Sequence, residues 1–255
     1  MGGLVVFLPL RRRALKSHPS AGLQNDIVRK YSKDIRIAPA ACDIAFDQKI
    51  ISIQDFLPET TFHLLREAVD RQDQSERVHI PVHKRGATIS YHDLHYCAPE
   101  LIAFYLSPQL HEWCSAVIGE QVQPTPLNDL SSCSLLIYDQ PNDHIGWHYD
   151  HDFYRGRHFT ALLSLVNTGR SGAGLSSAHL MVREGHTEKV IPTPPNTMVL
   201  FEGAYICHSV SSLRESERRI ILSMTFCTDP TAGTVQTWER RIKDVAYFGW
   251  RALWG

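Results

Sequence analysis

The sequence predicts a mainly β domain with bracing helices, a double-stranded β-helix of the jelly-roll, cupin-like kind. Two observations carry this. From about residue 132 onward the chain breaks into short apolar stretches, with Pro, Asn, Asp and Gly interrupting them at 141–143, 169–174 and 192–196. Helical spacing of apolar residues is confined to the region before that. Helices first and many short strands after point to an antiparallel double sheet braced from outside. At 255 residues one such domain fills the chain and buries a sizeable core.

Taken in order, residues 1–36 read as an N-terminal arm, disordered, targeting or packing. Leu4–Leu10 is apolar, Arg11, Arg12, Arg13 and Lys16 follow, and the first acid is Asp26. A secretory signal puts its charge first, so this order argues against one, while a basic, acid-poor start suits an organelle transit peptide loosely. Gly2 invites myristoylation, but position 6 is Val. Residues 37–255 read as one domain, with helical support at 37–130, a jelly-roll core at 131–228 and a closing segment at 229–255. Residues 40–55 alternate like a strand. Pro58 opens a helix carrying Phe62, Leu65 and Val69, and a missing N–H costs little there. A second helix is expected over 98–106. Ser107-Pro108 opens a third, with Leu110, Trp113, Cys114 and Val117 on one face and Gly119 as its stop. Strands are expected at 133–138, 146–151, 158–166, 177–182, 197–201, 205–210 and 219–226.

Net charge is −1 and pI about 6.9, so no electrostatic footprint for nucleic acid is present. No apolar run reaches membrane-spanning length. Cys42, Cys97, Cys114, Cys133, Cys207 and Cys227 are scattered without a C-x-x-C pair, which reads as reduced thiols of a cytoplasmic protein.

The chemistry lies in His148-Tyr149-Asp150, followed by His208 and then by Arg218-Arg219. Two residues apart on a strand, His148 and Asp150 point to the same face. With His208 from another strand they make two histidines and one carboxylate on one side of a metal, a set suited to non-haem Fe(II) with open positions. An arginine just beyond offers a planar fork for a carboxylate. The rival reading of His144 and His148 as zinc ligands four apart on a helix fails, because Pro141 and Gly146 disfavour a helix there.

In this ordered set the chain resembles the Fe(II)/2-oxoglutarate-dependent dioxygenases, the group of prolyl hydroxylase-like and small-molecule hydroxylases. The matching pieces are Ile51–Leu57, Leu135–Tyr138, His148–Asp150, Gly156–Asn167, Asn196–Gly203, His208–Val210 and Arg218-Arg219, spread over residues 48 to 228. The resemblance implies an iron held by His148, Asp150 and His208. It implies 2-oxoglutarate as co-substrate, O2 as oxidant and ascorbate as an auxiliary reductant. Asp150 stands where related halogenases have Gly or Ala, so hydroxylation without halogenation is expected.

The carboxylate clamp has two candidates. The family's commonest spacing, ten residues past the distal histidine, selects Arg218. Parity selects Arg219, because Ile220, Leu222 and Met224 form one apolar face and Arg219 shares the other with Ile221, Ser223 and Thr225. We favour Arg219. By resemblance Tyr138 bonds a 2-oxoglutarate carboxylate; Thr160 and Ser164, which share a strand face, are expected to line the cofactor pocket. Val210 and Leu213 fill the family's apolar positions after the distal histidine. His144, Trp147, Arg157, Ser223 and Thr225 are candidate substrate contacts, along with Arg155 and His179; Cys207 reads as a packed thiol. The expected partner is a small metabolite such as a free amino acid, with no nucleic acid or membrane. Hydroxylation of a protein side chain, and a metal-binding jelly roll without oxygenase activity, remain as rivals.

Overall fold

A computed structural model describes residues 19–37, 46, 49–71, 84–150 and 153–231, and the backbone of 76–80. The expected strand residues before position 46, His151, Asp152, Cys42 and the closing segment from 232 on lie outside the described residues.

In chain order the elements are α1 (Ala21–Tyr31), β1 (Ile50–Ile53), α2 (Glu59–Asp70), β2 (Glu76–Ile80), β3 (Lys84–Ile89), α3 (Tyr91–Cys97), α4 (Pro99–Tyr105) and α5 (Pro108–Ile118). After them come β4 (Gln123–Pro124), β5 (Cys133–Tyr138), β6 (His144–His148), β7 (His158–Thr168), β8 (Leu180–Glu184), β9 (Thr187–Ile191), β10 (Met198–Phe201), β11 (Cys207–Val210) and β12 (Arg218–Cys227). All the sheet pairings are antiparallel, in the order β1-β10-β7-β12-β5-β3-β6-β11-β8-β9, with β2 on β3 and β4 on β12. β3 turns the corner. Ala87–Ile89 pair with β5, while Lys84 and Arg85 pair with β6. The sheet therefore folds over on itself, with β1, β10, β7, β12 and β5 on one wall and β6, β11, β8 and β9 on the other. This is the expected jelly roll.

The main core lies between the helices and the outer face of the first wall. Ile220, Leu222, Met224 and Phe226 of β12 join Leu101, Phe104 and Leu110 there. α5 follows its sequence signals. The Ser107 side chain caps Leu110 N–H, Pro108 occupies the first turn, and Gly119 ends the helix at φ 79°. Leu110, Trp113, Cys114 and Ile118 are its buried residues, whereas Val117 is only partly so.

Several elements were not foreseen. The β2–β3 hairpin and α3 occupy a region with no reading, and β9 pairs with β8 over its full length. Part of the expected N-terminal arm is an ordered element. α1 is capped by Ser20 and buries Ile27, and Ile35 after it is also buried. Gln24 fastens it to α3, donating to the Tyr91 hydroxyl at 2.7 Å and lying 3.1 Å from His95 Nε2. The expected strand 146–151 runs from 144 to 148 instead, so Asp150 stands beyond its end.

Candidate metal centre

The antiparallel register of β11 on β6 sets His208 directly opposite His148. Their rings are 4.1 Å apart between centroids. Each ring is aimed by its own strand: His148 Nδ1 lies 2.8 Å from the Gly146 carbonyl and His208 Nδ1 3.0 Å from that of Ile206. A carbonyl only accepts, so Nδ1 carries the proton in both rings and the Nε2 lone pairs are left for a ligand. Asp150 Oδ1 is 3.7 Å from each Nε2. Among the described residues these three are the group whose side-chain donors, all within 4.8 Å of one another, suit a metal ion.

Asp150 is held by two further contacts. Its N–H donates to the Gly203 carbonyl at 3.0 Å, which replaces the strand pairing lost past His148. Its second oxygen, Oδ2, accepts from the Thr160 hydroxyl at 2.5 Å. Gly203 lies so close that a Cβ there would meet Asp150 Oδ2 at 2.5 Å and its Cβ at 2.6 Å. Burial pushes the Asp150 carboxyl up, but His208, then His148 and the Thr160 hydroxyl outweigh it and hold the group below the ordinary carboxylate range. The carboxylate is thus ionised, as a metal ligand must be. Two imidazole nitrogens, one carboxylate oxygen and an open side fit Fe(II).

The turn that carries Gly203 is itself clamped. Glu202, 2 % exposed, receives both Nε (3.1 Å) and an NH2 (3.0 Å) of Arg157, and Lys49 Nζ lies 3.5 Å away. Burial raises the Glu202 carboxyl, yet the Arg157 fork and Lys49 bring it below its usual value. Arg157 also reaches Glu120 at 3.0 Å.

The triad opens into a cavity of about 530 Å³ between the two walls. Arg219, 1 % exposed, lines it, with its guanidinium 5.4 Å from the Tyr138 ring centre on the neighbouring strand. Arg219 Nε has no hydrogen-bond partner, and no carboxylate pairs with this side chain among the described residues. Burial pulls the guanidinium below its ordinary value, with Tyr138 opposing, yet an arginine stays charged. Arg218 points outward beside α2, half-exposed, with Asp70 at 3.8 Å.

The remaining candidates divide. Tyr138, Thr160, Ser223 and Thr225 line the cavity, as do Ile221 and Val210. Leu213 is buried alongside Val210. Ser164 does not line the cavity; its hydroxyl donates to the Thr193 carbonyl. His144, Trp147 and Arg157 stand outside the cavity lining. The reason for His144 is a bulge. β11 advances two residues from His208 to Val210 while β6 advances three, from His148 to Ile145. Ile145 therefore shares the inward side with His148, and His144 bonds the Asn142 carbonyl instead. Trp147 lies against the Arg183 guanidinium, and Arg157 is spent on Glu202 and Glu120. Arg155 and His179 are also absent from the lining, and Cys207 is a half-buried free thiol. Residues the sequence did not single out also line it: Lys84, Thr88, Asp129, Ser131, Ser134 and His158. Ser134 alone had a signal, since it shares strand parity with Tyr138.

No protein-family model matches the chain, and no curated protein matches it in sequence. Solved structures do match. The α-ketoglutarate-dependent epimerase SnoN from nogalamycin biosynthesis aligns at TM-score 0.55 and 12 % identity, covering 82 % of each chain. A Trichoplax adhaerens prolyl hydroxylase in complex with a hypoxia inducible factor peptide gives TM-score 0.55 and 12 % identity over 82 % of this chain and 90 % of that one. A 2OG-Fe(II) oxygenase family protein from Burkholderia pseudomallei gives 0.55 and 13 % over 83 % and 94 %. The chain has the fold of the Fe(II)/2-oxoglutarate oxygenases. Among the described residues no helix is long and apolar enough to cross a membrane.

Proposed function

We propose that this protein is an Fe(II)- and 2-oxoglutarate-dependent oxygenase that hydroxylates an unactivated C–H bond of a small metabolite. One observation carries the reading furthest: Arg219, a buried cation without a carboxylate partner among the described residues, lines the same cavity as His148, Asp150 and His208. Leaving such a charge unpaired costs several kcal/mol, so the cavity is built for an anion beside the metal. A metal-binding jelly roll without oxygenase activity has no use for that cation.

In this reading the three ligands hold Fe(II), and Arg219 with Tyr138 receives the distal carboxylate of 2-oxoglutarate. With iron, 2-oxoglutarate and O2 bound, the centre supplies oxidative decarboxylation to succinate and CO2 coupled to C–H hydroxylation. Thr160 orients Asp150 by donating to its second oxygen, which would leave the first free to hold the metal. Leu136, Leu162 and Ile221 keep the middle of the cavity apolar, which strengthens the Arg219–carboxylate pair.

The experiment is release of succinate from 2-oxoglutarate by the purified protein with Fe(II) in air, with and without a metabolite panel. Turnover that needs iron and O2, and that disappears in His148→Ala and His208→Ala with the melting temperature kept, is the expected result. Normal turnover in either variant would overturn the ligand assignment. A chlorinated product in high chloride would show that Asp150 is not a ligand.

A further inference from the structure

The charged residues of the cavity are sorted to its two ends by the strand register. Inward along β12 from Arg219 come Ile221, Ser223 and Thr225, and β5 sets Tyr138, Leu136 and Ser134 opposite the first three. On the other flank β7 sets Thr160 opposite Thr225. Thr160 holds Asp150, so the metal site lies at that fourth row. A co-substrate reaching from Arg219 to the metal crosses the rows between and stops there. Lys84 stands on the Arg219 side. β3 sets Thr88 opposite Leu136 and Ala87 opposite Ile137, so Lys84 lies further still from the serine row. Its partner on β6 is Ile145, three residues before His148. Its ammonium donates to Thr88 Oγ1 at 3.2 Å, short of the serines.

Asp129 stands at the other end. His158 comes two residues before Thr160 on β7 and pairs with Cys227, two residues beyond Thr225, so it lies past the metal row as seen from Arg219. The Tyr154 ring stacks on that imidazole, with centroids 6.2 Å apart and planes 18° from parallel. The Tyr154 hydroxyl donates to Asp129 Oδ2 at 2.6 Å, and the Ser131 N–H donates to Oδ1 at 2.9 Å. Asp129 is 3 % exposed and lines the cavity together with His158, Phe153 and Ser131. The lining thus carries its lysine and its arginine on one side of the metal site. Apart from the ligand Asp150, its carboxylate lies on the other.

We infer that the Asp129 end seats the substrate, and that the substrate presents a cation of the ammonium or guanidinium type to this carboxylate. The inference rests on the oxygenase reading of the site. A dianionic co-substrate belongs with Arg219 and Lys84, and it leaves the Asp129 end uncrossed. A carboxylate accepts at about four lone-pair positions, so Asp129 can hold Tyr154, Ser131 and the N–H groups of a ligand together. Water screens a buried charge little, so this end attracts a cation and repels an acid. A hydrogen bond from a charged donor is about twice as strong as one from a neutral donor. The Ser131 hydroxyl, without a partner among the described residues, offers a further acceptor beside it.

The test is calorimetric titration of the protein loaded with Ni(II) and 2-oxoglutarate, under nitrogen, with three probes of similar shape. Butylguanidinium is a cation that stays protonated and offers nickel no lone pair. Butylurea keeps the N–H donors without the charge, and pentanoate is an acid. Butylguanidinium should bind about tenfold more tightly than butylurea, the margin of a charge-assisted bond over a neutral one, and pentanoate should bind least. Asp129→Asn should bring butylguanidinium down to the level of butylurea. Tyr154→Phe keeps the carboxylate and should keep the preference. Butylurea or pentanoate binding as tightly as butylguanidinium in the wild type overturns the inference, whether or not Asp129→Asn folds. So does the absence of butylguanidinium binding at millimolar concentration, or a folded Asp129→Asn that retains the preference. An equal loss in Tyr154→Phe would trace the preference to packing and overturn it too. A parallel titration of 2-oxoglutarate into the Ni(II) protein separates the two readings. If the wild type fails to bind it, the oxygenase reading falls and takes this one with it. If 2-oxoglutarate binds and the probes rank otherwise, only this inference falls.

Discussion

Gly203→Ala should cripple the metal centre while leaving the fold intact. Gly203 does not have a positive φ, so alanine meets no backbone penalty there. The cost is steric and local. The new methyl would sit 2.5 Å from Asp150 Oδ2, 2.6 Å from its Cβ and 2.9 Å from its Cγ. Ordinary contacts of this kind need about 3.5 Å or more, so the carboxylate must retreat by about 1 Å. It has no slack to do so. Its N–H is tied to the Gly203 carbonyl, its Oδ2 to Thr160, and the turn itself to Arg157 through Glu202. Disturbing the groups that aim a ligand typically costs 10- to 100-fold in metal affinity, about 1.4 to 2.7 kcal/mol. The assay is Co(II) titration by calorimetry, with thermal unfolding of the metal-free protein beside it. Gly22→Ala, on the exposed side of α1 with Ser20 Oγ 3.6 Å away as its nearest neighbour, is the control. Unchanged Co(II) affinity in Gly203→Ala would refute the packing of this glycine against Asp150.

Arg219→Gln should weaken 2-oxoglutarate binding by about 2–5 kcal/mol, while Arg218→Gln, an exposed side chain, should leave it within a factor of two; equal mild effects at both would remove the clamp. Thr160→Val takes a hydrogen bond from the Asp150 carboxylate, so that group's pKa should rise and the pH below which metal is lost should rise with it; an unmoved pH profile would show that Thr160 does not position Asp150. Arg157→Gln frees the Glu202 turn from its fork, and metal affinity should fall several-fold with Arg157→Lys recovering part of it. Burial depresses the His95 imidazole below its ordinary 6.5. The unfolded chain then binds a proton that the fold refuses, so stability should fall as pH drops through about 6.5 and be fully present above it. In urea melts at pH 7.5 and 5.5, His95→Gln should flatten that loss, and an equal slope in the variant would place its origin elsewhere.

What the sequence made legible was whatever depends on parity within one element. The alternation of β12 separates Ile220, Leu222 and Met224 from Arg219, Ile221, Ser223 and Thr225, and the two sets do face opposite sides of the sheet. The Ser107-Pro108 start and Gly119 stop of α5 are equally local, set by a hydroxyl cap, a fixed φ and a left-handed residue. Parity fails where register is irregular. Reading β6 as a plain strand puts His144 with His148, but the bulge gives that place to Ile145. Nothing in His-Ile-Gly-Trp-His signals the extra residue except Gly146, and a single glycine is too weak a sign. Asp150 reached the right side for a different reason than the one expected, since it is held by a turn 53 residues on and not by strand alternation.

The unforeseen parts have a common cause in distance along the chain. Arg157 looks like a free cation near the metal motif because its partner Glu202 is 45 residues away, and only the pairing of β10 with β7 brings the two together. Lys84 enters the cavity because β3 bridges both walls, and that bridge has no signature in residues 84–89 themselves. Lys84, Gly86 and Thr88 share a face of β3, and the ammonium donates to Thr88 Oγ1 at 3.2 Å. A Cβ at 86 would press on the Ile137 carbonyl at 3.2 Å and meet the Tyr138 ring at 3.8 Å. Gly86 and Gly203 thus act alike. Each leaves out a side chain at a point where a residue lining the cavity lies close to the backbone, Tyr138 at Gly86 and Asp150 at Gly203. A glycine on an inward-facing strand or turn position, next to chemistry, therefore marks in this fold where the site is tightest. Motif spacing locates the ligands, but these absences determine how closely they are held.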